Sequence, residues 1–380
     1  MSDQLYIGLM SGTSMDGLDA VLVDFSSSQP KLLHHYCQTL PADLKAELQH
    51  LCSPGNNELH RLATADRQFA EYSAEVVINL LRLAKTKPQA VAAIGSHGQT
   101  VRHMPDALTP YTMQLGDPNT LAALTGIPVV ADFRRKDIAL GGQGAPLVPA
   151  FHEALFRQRI AKGSSAAVLN LGGIANITVL TNADNQVTGF DTGPANTLLD
   201  LWYQLQHPDS DVGYDANGAY GASGKVLAEL LEAMLADDYV QQSPPKSTGR
   251  EYFNYDWLLG YLERYGEAEQ TWRGEDIQAT LVEFTAATVA KGLTQSTKAP
   301  VSNVFVAGGG AFNSHLMARL AAHYPEADWQ SVTALGVDPQ HLEGMAFAWL
   351  AQQYMLRQPG NLPAVTGASR ATVLGGLFLP

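Results

Sequence analysis

The sequence is poor in cysteine, in positive charge and in long apolar runs, and each shortage excludes something. Two cysteines, Cys37 and Cys52, in 380 residues cannot build a disulfide framework, so reduced, buried thiols are expected. Basic residues number 24 against 37 acidic ones, a formal net charge of -13. A nucleic-acid binder needs a basic face to neutralise phosphates, so no nucleic-acid partner is expected. A phosphate-bearing small molecule stays allowed, because backbone N–H groups and a metal ion hold phosphate without many lysines. No uninterrupted apolar run approaches the ~20 residues of a membrane span. The opening Met1-Ser2-Asp3-Gln4 lacks the basic start of a signal peptide. A cytoplasmic protein without a membrane partner is therefore expected.

What is present points to a packed α/β chain. Hydrophobic residues make up 46% and charged residues 16%, which suits a globular core, and the length suits two domains. Leu5–Met10 reads as a buried strand, followed by a turn at Ser11–Ser14, a strand at Asp19–Phe25 and a third at Lys31–Leu40. The arrangement recurs about 160 residues later: strand Ala166–Leu171, turn Gly172-Gly173, strand Asn176–Leu180 and strand Gln186–Phe190. Each half thus opens with a three-strand meander whose first turn carries glycine. Helical spacing of apolar residues marks Asn57–Leu83, Thr197–Leu205, Lys225–Leu235, Asp276–Leu293 and Leu342–Met355. Further strands are read at Ala90–Ile94, Ile127–Ala131 and Val304–Ala307. Alternating strands and helices argue α/β architecture. The break at Lys162-Gly163-Ser164 divides the chain into domains 1–163 and 164–380, with the late helix 342–355 free to pack back on the first.

Three glycine-bearing turns carry the chemistry. In Gly8-Leu9-Met10-Ser11-Gly12-Thr13-Ser14-Met15-Asp16-Gly17-Leu18-Asp19, Gly12 and Gly17 allow backbone to approach a ligand. Thr13 and Ser14 offer hydroxyl donors to phosphate oxygens, and Asp16 and Asp19 offer oxygens to Mg²⁺. A plain hairpin with a polar turn is the competing reading. The second turn, Asn170-Leu171-Gly172-Gly173-Ile174-Ala175-Asn176, is followed by Phe190-Asp191-Thr192-Gly193-Pro194-Ala195-Asn196 at a strand end. Asp191 reads either as a functional carboxylate or as a helix N-cap. The third run, Gly308-Gly309-Gly310, lies between strand and helix, where an adenosine can rest on bare backbone.

The order phosphate turn, second phosphate turn, adenosine turn resembles the actin, heat-shock ATPase and hexokinase superfamily. Leu9–Asp19 closely resembles the opening of anhydro-N-acetylmuramic acid kinases. Gly95-Ser96-His97-Gly98-Gln99-Thr100, Ala131-Asp132-Phe133-Arg134-Arg135-Lys136-Asp137, Gly141-Gly142-Gln143-Gly144-Ala145-Pro146-Leu147, Asn170–Asn176 and Phe190–Asn196 match the same family. The resemblance implies a duplicated ribonuclease H-like (actin-like ATPase) fold with two domains around a central nucleotide cleft. It implies ATP and Mg²⁺ as cofactors, an amino-sugar substrate and a role in peptidoglycan recycling; a homodimer is compatible with it. Gly12, Thr13, Ser14, Met15, Asp16, Gly17, Leu18, Asp19, Gly172, Gly173, Gly308, Gly309 and Gly310 would then line the nucleotide. His97, Thr100, Arg134 and Arg135 would contact the sugar. Many superfamily relatives carry an acid two positions before the Gly-Thr of the first turn; Met10 stands there here, so the metal contact falls to Asp16, Asp19 or water.

The implied substrate, 1,6-anhydro-N-acetylmuramic acid, has no free 6-hydroxyl, because O6 is tied to C1. A kinase for it opens that bridge as well as transferring phosphate. Asp191 is the candidate base, taking a proton from the water that attacks C1. Glu343 either assists at C1 or is a helix-start acid. Binding or chaperone modules of the same fold, and kinases of an ordinary hexose, are the alternatives. Other signals are weaker. Gly221-Ala222-Ser223-Gly224-Lys225 fails as a P-loop, because Val226 follows the lysine and Ala219 stands where glycine is needed. His97 and His103 are too isolated for zinc. Arg134 and Arg135 suit a ligand carboxylate or a salt bridge to Asp132 or Asp137.

Overall fold

The computed structural model describes residues 4–12, 15–27, 29–160, 164–182, 186–244, 246–250, 252–265, 272–297, 300–335 and 337–380. Thr13, Ser14 and the expected domain break at Lys162-Gly163 lie outside the described residues. Among the described residues thirteen strands follow in chain order: β1 Leu5–Met10, β2 Gly17–Asp24, β3 Lys31–Thr39, β4 Val91–Ser96, β5 Gln99–Met104, β6 Tyr111–Leu115, β7 Val129–Ala131, β8 Ser165–Leu171, β9 Ile174–Thr181, β10 Val187–Pro194, β11 Val301–Ala307, β12 Asp328–Ser331 and β13 Gly376–Phe378.

The chain folds into two units. The first comprises Met1–Leu155 and His341–Pro380, the second Phe156–Gln340. Sheet order in the first is β13-β7-β4-β1-β2-β3, and in the second β10-β9-β8-β11-β12. Read from the meander outward, β3-β2-β1-β4-β7 and β10-β9-β8-β11-β12 are the same design. An antiparallel meander is followed by two strands parallel to its first. This is the duplicated ribonuclease H-like α/β fold, and the repeat read from the sequence is its two meanders.

The sequence places 164–380 in the second domain with the late helix 342–355 free to pack back on the first. In the structure His341–Pro380 group with the first unit, and the reason is packing. The late helix Leu342–Met355 is buried nearly all round, from Gly344 through Ala351, so it needs a core on every side. It finds one against β1 and β4, where glycines clear the way. A Cβ on Gly8 would run into Gly344 O, and one on Gly95 into Phe347 O. Gly344 in turn meets Val21 of β2, where a Cβ would stand 3.1 Å from the valine side chain. After the helix, β13 pairs antiparallel with β7 through Gly376, Leu377 and Phe378.

Helix Glu58–Leu83 covers the first sheet with Phe69, Tyr72, Val76, Val77 and Leu80. In the second unit, helix Gly274–Ser296 buries Phe284, Val289 and Leu293 against Ile177 and Phe190. Fully buried side chains of this size each contribute roughly 2 kcal/mol through area removed from water. Both cysteines are free, as expected, but exposed rather than buried. Cys37 lies on β3, the outermost strand of its sheet, and Cys52 caps the helix Ala42–Leu51.

Candidate functional site

In the first unit the phosphate-turn candidate leaves β1 and enters β2. Met15 is buried with φ 54°, a left-handed conformation that a methionine holds only when its surroundings enforce it. A strand far along the chain braces residues on either side of Met15. Ser11 Oγ donates to Gln99 Oε1 at 2.6 Å and lies 3.1 Å from Gly17 O, while Gln99 Nε2 donates to Gly12 O at 3.3 Å. Gln99 is completely buried. Gly17 lies in β2 against β3, where a Cβ would stand 2.7 Å from Gln38 O, and Leu18 is a core residue. Asp16 forms a surface ion pair with Lys45 at 2.9 Å. Asp19 pairs in register with Met10 and Cys37; lost hydration, then the Asp19 carboxylate, push the Cys37 thiol up to about 12.

The substrate candidates of this unit divide. His97 is buried, rests on Phe347 and accepts from Arg134, whose Nη2 stands 2.9 Å from its Nε2. Arginine only donates, so Nε2 is the acceptor and the imidazole proton sits on Nδ1. Burial, then the Arg134 charge, pushes His97 down to about 3, which keeps it neutral. Arg134 also donates to Gly144 O at 2.8 Å; burial lowers it to about 10, against the pull of Glu343 and Asp137. Glu343, in the first turn of the late helix, thus lies within electrostatic reach of Arg134. Arg135 is mostly exposed, 3.6 Å from Asp132, and donates to Thr112 O, which is its salt-bridge reading. Thr100 Oγ1 accepts from Gln114 at 3.1 Å. Asp137 is fully buried and accepts from Gly144 N, Asn361 and Thr366, tying the 141–147 loop to the C-terminal segment.

The second unit arranges its candidates around a sheet end. Asn170 of β8 pairs with Asn176 of β9, and Asn176 with Asp191 of β10. Directly opposed residues share a sheet face, so three adjacent strands carry an Asn–Asn–Asp row. Behind that row the same face carries Val168, Thr178 and Leu180, all buried. Asp191 lies inside β10 rather than just past it, at an irregularity where Thr192 is the extra residue before Gly193 meets Ala175. Bulges of this kind re-aim side chains at strand ends. Helix Asn196–Gln206 starts after Ala195 without a side-chain cap, so Asp191 is not its N-cap. Instead Asp191 Oδ2 accepts from Ser247 Oγ at 2.9 Å and from Thr248 N at 3.0 Å.

The Gly172-Gly173 turn is pinned by that helix start: Asn196 N donates to Gly172 O, and Ala195 N and Thr197 N donate to Gly173 O. Gly308, at φ 79°, has no room for a side chain; a Cβ would stand 2.7 Å from Leu171 backbone. Gly310 is similarly closed by Leu171, whereas Gly309 is exposed and a Cβ there would meet only Asn196 Nδ2 at 3.6 Å. Gly221–Lys225 ends a short helix, and Lys225 N donates to Asp276, a structural use. Sequence reasoning missed Gln99 as the brace of the first turn and the whole strap 246–250. The preceding match of Gln99 to a family motif was the available signal for the first.

A Mg²⁺ expectation can be tested against these donors. Among the described residues no group of three or more His, Cys, Asp or Glu side chains is placed to hold a metal. Mg²⁺ held mainly by phosphates and water needs only one or two carboxylates, so Asp19 fits; Asp16 fits only if it leaves Lys45. Among the described residues no helix is long and apolar enough to cross a membrane.

The family model of anhydro-N-acetylmuramic acid kinases matches residues 4–380 of this chain. The anhydro-N-acetylmuramic acid kinase of Shewanella sp. (strain ANA-3) is 52% identical over 378 residues, covering 100% of this chain and 99% of that protein. Those of Shewanella oneidensis and Shewanella loihica are 52% and 51% identical over the same span, with the same coverage.

Proposed function

Since the chain belongs to the anhydro-N-acetylmuramic acid kinase family, we propose that it opens 1,6-anhydro-N-acetylmuramic acid with water and phosphorylates the released O6 from ATP. The products are N-acetylmuramic acid 6-phosphate and ADP, and the setting is cytoplasmic peptidoglycan recycling. The full-length family match does not favour a chaperone-type module or a kinase of an ordinary hexose.

The observation that carries the mechanism is the polar row ending in Asp191 at a bulged strand end. In this reading Asp191 takes a proton from water as the water oxygen bonds to C1. The C1–O6 bond breaks, O6 bonds to the γ-phosphorus, and the bond from that phosphorus to the β-phosphate oxygen breaks to release ADP. The proton on Asp191 returns to solvent with the product. Phosphoryl transfer itself needs positioning and charge neutralisation. Gly12 with Thr13 and Ser14, and the Gly172-Gly173 turn, are assigned to the phosphates, and Gly308–Gly310 to the adenosine. Asp19 would hold Mg²⁺ through water, and the ion when bound neutralises phosphate charge. Neutral His97 is suited to fixing Arg134 rather than to moving protons, and Arg134 is the cation assigned to the sugar's lactyl carboxylate.

The test is phosphate transfer from ATP across sugars with and without the anhydro bridge. The reading expects 1,6-anhydro-N-acetylmuramic acid to be preferred by at least about 100-fold in kcat/KM, a floor set below the roughly 10⁴-fold cost of losing a site-built polar contact. Equal use of glucose or N-acetylglucosamine contradicts it.

A further inference from the structure

The segment Lys246–Arg250 has no place in the reading above, yet it touches both halves of the second unit's site. It returns from the short helix Asp238–Gln241 and runs along the exposed edge of β10. There Asp191 N donates to Lys246 O at 3.2 Å, so the strap pairs with the strand at the catalytic position. Ser247 Oγ and Thr248 N then both donate to one oxygen of the Asp191 carboxylate. Two residues on, the guanidinium of Arg250 stands over the second phosphate turn: its Nε and Nη2 lie 3.8 Å from where a Cβ on Gly173 would sit.

The strap is itself anchored. Lys246 Nζ donates to Tyr239 O at 3.0 Å, and Tyr239 OH donates to Asp191 O at 2.8 Å. Lys291 Nζ donates to Val240 O. Asp237, nearly buried, accepts from Tyr239 N, Tyr252 OH, Trp257 Nε1 and Tyr261 OH. A carboxylate with four donors fixes both ends of the strap's approach. Among the described residues, the charged and titratable groups about Asp191 include Lys246 and Tyr239, with Lys291 and Asp237 near Lys246 and Arg250 farther along the strap. Burial, then the Lys291 charge, lowers Lys246 to about 8, against the pull of Asp191 and Asp237.

We propose that this strap is a working part of the active site: Ser247 and Thr248 position the Asp191 carboxylate, and Arg250 binds the phosphoryl group held at the Gly172-Gly173 turn. The proposal rests on Asp191 being the base. Donors to the ionised carboxylate favour its charged form and fix its rotamer, which a base needs at the moment it meets water. Arginine's fork suits a phosphate oxygen pair, and Arg250 stands beside a glycine turn, where backbone can approach a ligand closely.

The experiment uses the full chain with ATP, Mg²⁺ and the anhydro sugar, reading kcat and KM for each substrate across pH 4–9, with thermal melting as the control for folding. Ser247→Ala is expected to lower kcat about tenfold, the value of a hydrogen bond to a charged group. It is also expected to move the acidic limb of the kcat profile up by about one pH unit, with KM for ATP unchanged; Ser247→Thr restores both. Arg250→Ala is expected to raise KM for ATP at least about tenfold, with KM for the sugar unchanged and partial recovery in Arg250→Lys. An unmoved acidic limb in Ser247→Ala overturns the positioning role, and a KM for ATP within twofold of wild type in Arg250→Ala overturns the phosphate role. Asp191→Asn separates the two levels: if that variant keeps its turnover, the base assignment itself has failed.

Discussion

The turn after β1 and the turn after β8 occupy the same place in two copies of one fold, yet they are held by different means. The first spans Ser11–Asp16 and is braced by side chains, Ser11 and Gln99, against a buried amide. The second is a two-glycine turn gripped by backbone, with three N–H groups of the following helix start donating to Gly172 and Gly173. The strands beyond differ too. At the first sheet's end β2 places Asp19 between Met10 and Cys37; at the second, the row is Asn170, Asn176 and Asp191. Duplication preserved the strand order, while the polar residues at the strand ends were free to take different chemistry. One fold thus carries different polar groups at equivalent strand ends.

Substitutions in the two copies should have different consequences. The largest effect belongs to Asp191→Asn, which keeps the shape and removes the charge. Turnover should fall by about 10²–10⁴, the range of a general base, with ATP affinity retained by calorimetry; activity within a few fold of wild type removes Asp191 from the role. Next comes Gly95→Val in the first unit, which drives a side chain into Phe347 O of the late helix. It should cost about 3 kcal/mol of stability, read from chemical denaturation; an unchanged midpoint would mean that the helix does not depend on that contact.

Much of this contrast was legible in the sequence, and what was not has a physical cause. The two meanders repeat because buried strands and tight turns leave a local pattern, and the late helix shows its apolar spacing over Leu342–Met355. The sequence allows that helix to pack on the first domain but not where: only three-dimensional packing shows that Gly8 and Gly95 leave room for it. Asp191 was placed one residue outside its strand because a bulge carries no periodic signal. Gln99 reaches Gly12 across 87 positions, and Ser247 reaches Asp191 across 56; no spacing rule encodes either. The exposed cysteines follow from an edge strand and a helix end, neither of which composition reveals.

Smaller changes sharpen the comparison. Gln99→Leu removes the brace of the first turn at similar volume and should raise KM for ATP about five- to tenfold, the worth of about one buried hydrogen bond, leaving the acidic limb of the pH profile where it was. A shift of that limb would tie the first turn to the base after all. Gly309→Val should leave the melting temperature almost untouched, because the added Cβ meets only Asn196 Nδ2, while ATP binding weakens several-fold by crowding the adenosine. Equal losses of ATP and sugar affinity in calorimetry would point to a general disturbance instead.

The central claim is that water attacks C1 and that the former bridge oxygen carries the phosphate. Turnover in ¹⁸O-water, quenched promptly because a reducing sugar slowly exchanges its anomeric oxygen, tests it most directly. The account predicts one label at the anomeric carbon of N-acetylmuramic acid 6-phosphate and none in the phosphate ester. Label in the phosphate with none at C1 would show water attacking phosphorus first, and would contradict the role given to Asp191.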